Sequence, residues 1–86
     1  MPWRVVEVYA LTEFKLRVIF QDGLSGVVDM VRQIHSAEAG VFAPLADPKL
    51  FAQVFVAHGA VTWPGELDLA PDAMHRAIQS RGIWVI

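Results

Sequence analysis

The fold of this chain is decided by the stretch WPGELDLAPD, residues 63–72. The apolar residues that lead up to Trp63 predict a strand, and Pro64-Gly65 is expected to end that strand in a loop. Pro71 predicts the first turn of a helix, because the N–H group that proline lacks has no partner there. Asp72 is expected in the same turn, where the helix dipole favours a negative charge.

The residues on either side of this stretch extend the pattern. Residues 54–56 and 61–63 predict a second hairpin, with His58-Gly59 at the two-residue loop position. After the helix, Gly82 is expected to end it. Residues 83–86 then predict a final strand or a strap across the core, paired within the chain rather than with another one.

The first thirty residues predict three strands, Trp3–Tyr9, Phe14–Phe20 and Leu24–Asp29. In the second strand the residues alternate, so Leu16, Val18 and Phe20 are expected on one face and Lys15 and Arg17 on the other. Short connections between them indicate an antiparallel meander, with a tight turn at Gln21-Asp22-Gly23. The fold class is therefore α+β. A single domain over residues 1–86 is expected, in which a small antiparallel sheet (the meander of three strands plus the second hairpin) packs against one or two short helices.

The middle of the chain predicts short helices. Asp29 is expected to cap a helix over about Met30–His35, and Val41–Leu45, broken by Pro44, is expected to be a packed loop. Asp47-Pro48 predicts one helical turn. The aspartate side chain can accept hydrogen bonds from the free N–H groups of the first turn, and proline at the first helical position loses no hydrogen bond because it has no N–H. Phe51 is expected to turn inward from this helical turn.

Composition limits the possible functions. Apolar residues make up 55% of the chain, which makes self-association or a partner plausible. The absence of cysteine excludes disulfide scaffolds, thiolate metal sites and cysteine nucleophiles. Charged residues interrupt the early apolar runs, and no signal core follows the start, so a cytoplasmic protein without a membrane partner is expected. The net charge of -2 does not favour nucleic acid, although Arg4, Lys15 and Arg17 could form a basic stripe on one sheet face.

The order of these features resembles a known family. The shared motifs are FQDG at 20–23, VD at 28–29, GVFAPL at 40–45 with Asp47-Pro48 and Phe51, and WPG at 63–65 followed by DLAPD at 68–72. Together they resemble the bacterial domain of unknown function numbered 2442. The resemblance implies a small α+β fold and carries over no catalytic residue. In the family that the chain resembles, some members carry a helix-turn-helix DNA-binding domain after this module, and some members that stand alone are associated with toxin–antitoxin-like gene pairs.

Two readings of the acidic residues stay open. Asp68 and Asp72 could bind a cation or, with His75, form the acid–base site of a small hydrolase or ligand-binding protein. Alternatively, both carboxylates stabilise the helix start, and His75 forms a surface ion pair with Asp72 three residues earlier. The spacing of His35, His58 and His75 matches no metal motif, so neither a metal nor a cofactor is expected.

The residues expected to contact a partner are mainly tryptophans and the tail. Trp3 and Trp84 lie near the two ends of the chain, and Ile86 ends a tail that can pair with a sheet edge. Trp63, Asp68 and Asp72 mark the most characteristic loop. We therefore expect a non-catalytic protein-interaction or regulatory module, either a homodimer or bound to a protein partner. The family resemblance alone implies that this partner belongs to a toxin–antitoxin-like pair. The alternatives are the hydrolase or ligand-binding protein above and a weak nucleic-acid-binding module.

Overall fold

The computed structural model describes residues 1–86 and consists of two small sheets with short helices between and around them. This architecture confirms the α+β class. The strands are β1 (Val5–Ala10), β2 (Lys15–Phe20), β3 (Ser25–Asp29), β4 (Phe55–Ala57), β5 (Ala60–Trp63), β6 (Leu67–Asp68) and β7 (Ile83–Val85). The helices are α1 (Val31–His35), α2 (Pro48–Phe51) and α3 (Pro71–Arg81), and a 3₁₀ helix covers Gly40–Ala46.

The first sheet contains the predicted antiparallel meander, in the strand order β1-β2-β3-β7. Asp22 stabilises the turn between β2 and β3 by accepting a hydrogen bond of 3.0 Å from the N–H of Leu24. Alternate residues of β2 are buried, and Leu16, Val18 and Phe20 form the core face of the sheet. Period-two alternation in the sequence therefore identified the correct buried face.

The tail, β7, pairs in parallel with β3, which makes this sheet mixed rather than purely antiparallel. The pairing within the chain agrees with the sequence prediction, but its direction was not foreseen. Val28 lies opposite Trp84, and the chain reaches this position because α3 crosses back over the sheet before β7 begins. A parallel pair needs such a crossover, whereas a hairpin cannot form one.

The second sheet has the order β4-β5-β6 and lies beside β1. Its first hairpin turns at His58 and Gly59, both with positive φ (52° and 77°), as a two-residue type I′ turn requires. The C=O of Gly59 accepts a hydrogen bond of 2.9 Å from the N–H of Val5, which ties this turn to β1. The two-residue strand β6 had not been predicted, because the loop after Trp63 was expected to stay irregular.

Helix α2 begins as predicted, with Asp47 as its N-cap accepting from the N–H of Lys49 at 3.0 Å. Helix α1 begins one residue later than expected: Met30 is its N-cap, and Asp29 lies one residue before it, although its carboxylate accepts from the N–H of Val31 at 3.1 Å. Phe51 is buried as expected. Residues 41–45, predicted as a packed loop, form part of the 3₁₀ helix instead.

The core lies between the first sheet, the helices and the second sheet. Helix α3 approaches β3 closely at Gly26, where an added Cβ would lie 2.5 Å from Cγ2 of Ile78 and 2.7 Å from the C=O of Gly82. The fully buried members include Met74 and Ile78 from α3 and Trp63 from β5. No helix of the chain has the length and apolar character needed to cross a bilayer.

Candidate functional site

The structure does not bring Asp68, Asp72 and His75 into one cleft. Asp68 lies on β6, and Asp72 lies at the exposed start of α3, where its Oδ1 accepts a hydrogen bond of 2.9 Å from the N–H of Ala73. His75 is buried one turn further along α3. None of the three surface cavities is lined by more than one of these residues. The geometry therefore offers no acid–base site made of this trio.

The partner of His75 is Asp22, so the surface ion pair predicted with Asp72 is wrong. The Nε2–H of His75 donates to Oδ2 of Asp22 at 2.9 Å, across 53 residues of sequence. The imidazole also packs edge-on against Phe20, with 4.8 Å between ring centroids. Both contacts are on the β2–β3 hairpin, because α3 lies across that end of the sheet. His75 therefore fixes α3 to the first sheet.

This hydrogen bond also affects the ionisation of Asp22. The bond from His75 lowers the pKa of Asp22 below its ordinary value, and the bond from the N–H of Leu24 lowers it further. Partial burial opposes both effects and is the smaller influence. Asp22 is thus held as a carboxylate, as a structural hydrogen-bond acceptor should be.

Asp68 does line a cavity, together with two titratable residues that the sequence did not connect with it. His58 from the β4–β5 turn and Glu66 from the β5–β6 turn face the same shallow depression on the second sheet. None of the three side chains hydrogen-bonds to another, and no group of three or more His, Asp or Glu residues is placed to hold a metal ion. These three side chains therefore form no hydrogen-bonded acid–base pair with one another.

The largest cavity lies between the β1–β2 loop and α2 and is mainly apolar. Glu13 is its only charged lining residue, and its carboxylate forms a 3.4 Å ion pair with Lys15. Glu13 and Phe14 both adopt positive φ, near 59° and 58°, which is uncommon outside glycine. The cavity contains no second titratable group that could complete a catalytic pair.

The three tryptophans occupy different environments. Trp63 is fully buried, its Nε1–H donates to the C=O of Phe51 at 3.0 Å, and its role in the structure is to join the second sheet to α2. Trp3 lies outside the strands and is 37% exposed. Trp84 is half-buried on β7. Two residues further along, Ile86 donates its N–H to the C=O of Asp29 at 3.1 Å. Trp84 and Ile86 are thus the two predicted contact residues that lie together.

The outer edge of β7, called the open edge of β7 below, pairs with no other strand of the chain. Gly82 accepts from the N–H of Val27, and Ile86 donates to Asp29, so the even-numbered residues of the tail face β3. By the alternation of a parallel ladder, the N–H and C=O groups of Ile83 and Val85 point away from the sheet. The opposite edge strand, β1, makes one backbone bond to the second sheet, from the N–H of Val5 to the C=O of Gly59.

A groove runs along this open edge, between β7 and α3. The lining residues are Ala73, Arg76, Ala77, Ser80 and Arg81 from α3 and Ile83, Trp84 and Val85 from β7. Sequence reasoning missed Arg76 and Arg81. The available indication was the spacing of the α3 lining residues, at intervals of three and four, which places them on one helix flank.

The basic stripe considered from the sequence is broken up in the structure. Arg4 packs against Gly59 at the hairpin turn, and Lys15 pairs with Glu13. Arg17 lies opposite Tyr9 on the exposed face of the first sheet, and Glu7 hydrogen-bonds to the Tyr9 hydroxyl beside it. That bond raises the pKa of Tyr9. No continuous positive surface results from these residues.

The fold and its surface thus define a small α+β domain in which the outer edge of β7 has no strand partner. Comparison with known families gives a match to the model of a protein of unknown function, DUF2442, over residues 5–80. The chain therefore belongs to the DUF2442 family, as the motif order had indicated. No curated protein and no solved structure matches it.

Proposed function

We propose that this chain is a non-catalytic protein-interaction module that offers the open edge of β7 to another polypeptide. The observation that carries the proposal is the orientation of Ile83 and Val85, whose backbone groups point away from β3. Unpaired strand edges are templates for strand addition, and proteins normally protect them. Recognition by strand addition uses such backbone groups for affinity and the flanking side chains for specificity.

The side chains of β7 support the same use of this edge. Val85 is 48% exposed, and Ile83 lies on the same sheet face, next to Val27 of β3. No helix or strand of the chain continues beyond this edge. An added strand would therefore bury apolar side chains while it satisfies the free N–H and C=O groups.

The wider setting of the proposal comes from the family resemblance. We propose that this small interaction module has a regulatory role and acts within a toxin–antitoxin-like pair in the cytoplasm. The partner in this proposal is a protein strand, and a second copy of the chain is one candidate for it.

The substitution Val85→Pro tests the proposal. Proline removes the outward N–H of residue 85, and this N–H makes no bond within the sheet, so the fold should tolerate it. Val85→Ala is the matched control, because it shortens the side chain and keeps the N–H. Each variant serves as bait in an affinity capture from the native host, and light scattering gives the mass of each purified protein.

The wild type and the alanine control are expected to retain one protein in near-equal amount, or to form a dimer, and Val85→Pro is expected to lose it. Circular dichroism confirms that the proline variant is folded. Identical capture and identical mass for all three proteins would show that the β7 edge is not the interaction site.

A further inference from the structure

The β7–α3 groove carries a charge pattern that indicates what kind of strand it accepts. Arg76 and Arg81 are both exposed and both line the groove. The ion pairs of the chain are Lys15–Glu13 and His75–Asp22, so neither arginine is paired with a carboxylate. No acidic residue lines the groove.

Two carboxylates on neighbouring parts of the fold form no ion pair with these arginines. Asp72 is four residues before Arg76 on α3, but its Oδ1 accepts from the N–H of Ala73, and it forms no ion pair with Arg76. Asp29 lies on β3, where its Oδ1 accepts from the N–H of Val31 at the start of α1. The groove therefore keeps two unpaired positive charges beside a row of unpaired backbone groups.

From this combination we infer that the groove binds an acidic, extended segment of a different protein as an additional strand beside β7. The inference rests on the proposed function and names its partner class. Guanidinium groups bind carboxylates with paired N–H donors, so arginine at both places favours glutamate or aspartate side chains.

A second copy of the chain fits this groove less well than an acidic partner. Antiparallel pairing of two β7 strands about a two-fold axis places the same patch of both copies face to face. Arg76 and Arg81 of one copy would then lie next to the same residues of the other, and like charges brought together oppose association. Charge complementarity therefore selects a heterologous acidic strand.

The alternation of β7 predicts the side-chain pattern of the ligand. Trp84 lies opposite the fully buried Val28 and thus on the α3 side of the sheet, whereas Ile83 and Val85 lie on the other side. Every second side chain of an added strand faces α3, near Arg76 and Arg81. The remaining side chains continue the apolar surface of Ile83 and Val85. The ligand is therefore a strand of alternating acidic and β-branched apolar residues.

Fluorescence anisotropy with labelled seven-residue peptides tests this inference. The first peptide alternates glutamate and valine, the second alternates lysine and valine, and both are acetylated and amidated to remove terminal charges. We expect about tenfold tighter binding of the glutamate peptide at low salt, with the difference reduced at high salt. The double substitution Arg76→Glu/Arg81→Glu should reverse the preference, and Gln79→Glu on α3, outside the groove lining, is the matched control.

A third peptide keeps the glutamate–valine sequence but carries N-methyl groups on alternate amides, in either phase. It tests main-chain pairing without changing the protein, so a folding defect of a variant cannot obscure the result. Methylation of the amides that face β7 should abolish binding, whereas methylation of the alternate amides should not.

The possible failures are distinguishable. If the acidic and basic peptides bind equally and methylation in one phase weakens the glutamate–valine peptide, strand addition stands and the acidic specificity is overturned. Absence of binding by any peptide at millimolar concentration overturns the inference and argues against the proposed function as well. Binding that is charge-dependent but indifferent to methylation leaves an acidic ligand without strand addition, which contradicts the inference as stated.

Discussion

Substitution of Gly26 by alanine should destabilise the domain, because α3 lies too close to β3 for a Cβ. The built Cβ lies 2.5 Å from Cγ2 of Ile78 and 2.7 Å from the backbone oxygen of Gly82. The isoleucine side chain is buried, and the carbonyl belongs to the backbone at the end of α3, so neither can move away freely. Overpacking of this kind costs about 1–3 kcal/mol.

An opposing effect must be subtracted. Glycine within a strand costs roughly 0.5–1 kcal/mol relative to alanine, so without the close contacts the substitution would stabilise the protein. Because one of the two contacts is with a backbone atom, the overpacking cost is expected in the upper part of its range, about 2–3 kcal/mol, and the net loss is then about 1–2.5 kcal/mol, which lowers the Tm of a domain this size by roughly 4–20 °C. Thermal unfolding followed by circular dichroism measures this change in Tm. The control is Ser25→Ala, because Ser25 is an exposed residue of the same strand. A Tm equal to or above that of the wild type would refute the close approach of α3.

Three further predictions concern single side chains. Trp63→Phe removes the indole N–H and leaves the C=O of Phe51 with only the longer, 3.4 Å bond from the N–H of Val54, so urea unfolding should show a loss of about 2 kcal/mol, and a change below about 0.5 kcal/mol would contradict the buried hydrogen bond. Asp47→Ala removes the cap of α2 and should cost about 1 kcal/mol, whereas Asp47→Asn should restore most of it; equal stability of the two variants would rule out the cap. The third prediction concerns pH. The bond from His75 lowers the pKa of Asp22 in the folded state. Ionised Asp22 therefore contributes its full stabilisation of the fold at pH values above its ordinary pKa of 3.8, and this stabilisation is lost as the pH falls below that value. Between pH 5 and acid conditions, the Tm of the wild type should therefore fall further than the Tm of Asp22→Asn. Roughly parallel plots of Tm against pH for the two proteins would contradict this prediction.

The sequence predicted the elements that depend on local chemistry. Asp47-Pro48 began a helix, His58-Gly59 formed a two-residue turn, and Pro71 opened α3, because capping and turn preferences act within a few residues. The alternation in β2 also gave the correct buried face. These features need no information about distant parts of the chain.

The remaining features depend on contacts between distant residues. The parallel pairing of β7 follows from where α3 crosses the sheet, and that crossing is possible because Gly26 has no side chain. The pairing of His75 with Asp22 spans 53 residues, so the nearer Asp72 was the natural but wrong choice. The groove beside β7 was missed for the same reason, because only the folded chain places its two arginines next to the unpaired edge of that strand.

The most direct test of the open edge is hydrogen exchange at the amides of β7, followed by NMR. In the free protein, the amides of Trp84 and Ile86 should be protected, and those of Ile83 and Val85 should exchange as freely as in a loop. Addition of the glutamate–valine peptide should slow exchange at Ile83 and Val85. Protection of these two amides in the dilute free protein, or their continued rapid exchange at saturating peptide, would contradict the claim that β7 is an unoccupied docking strand.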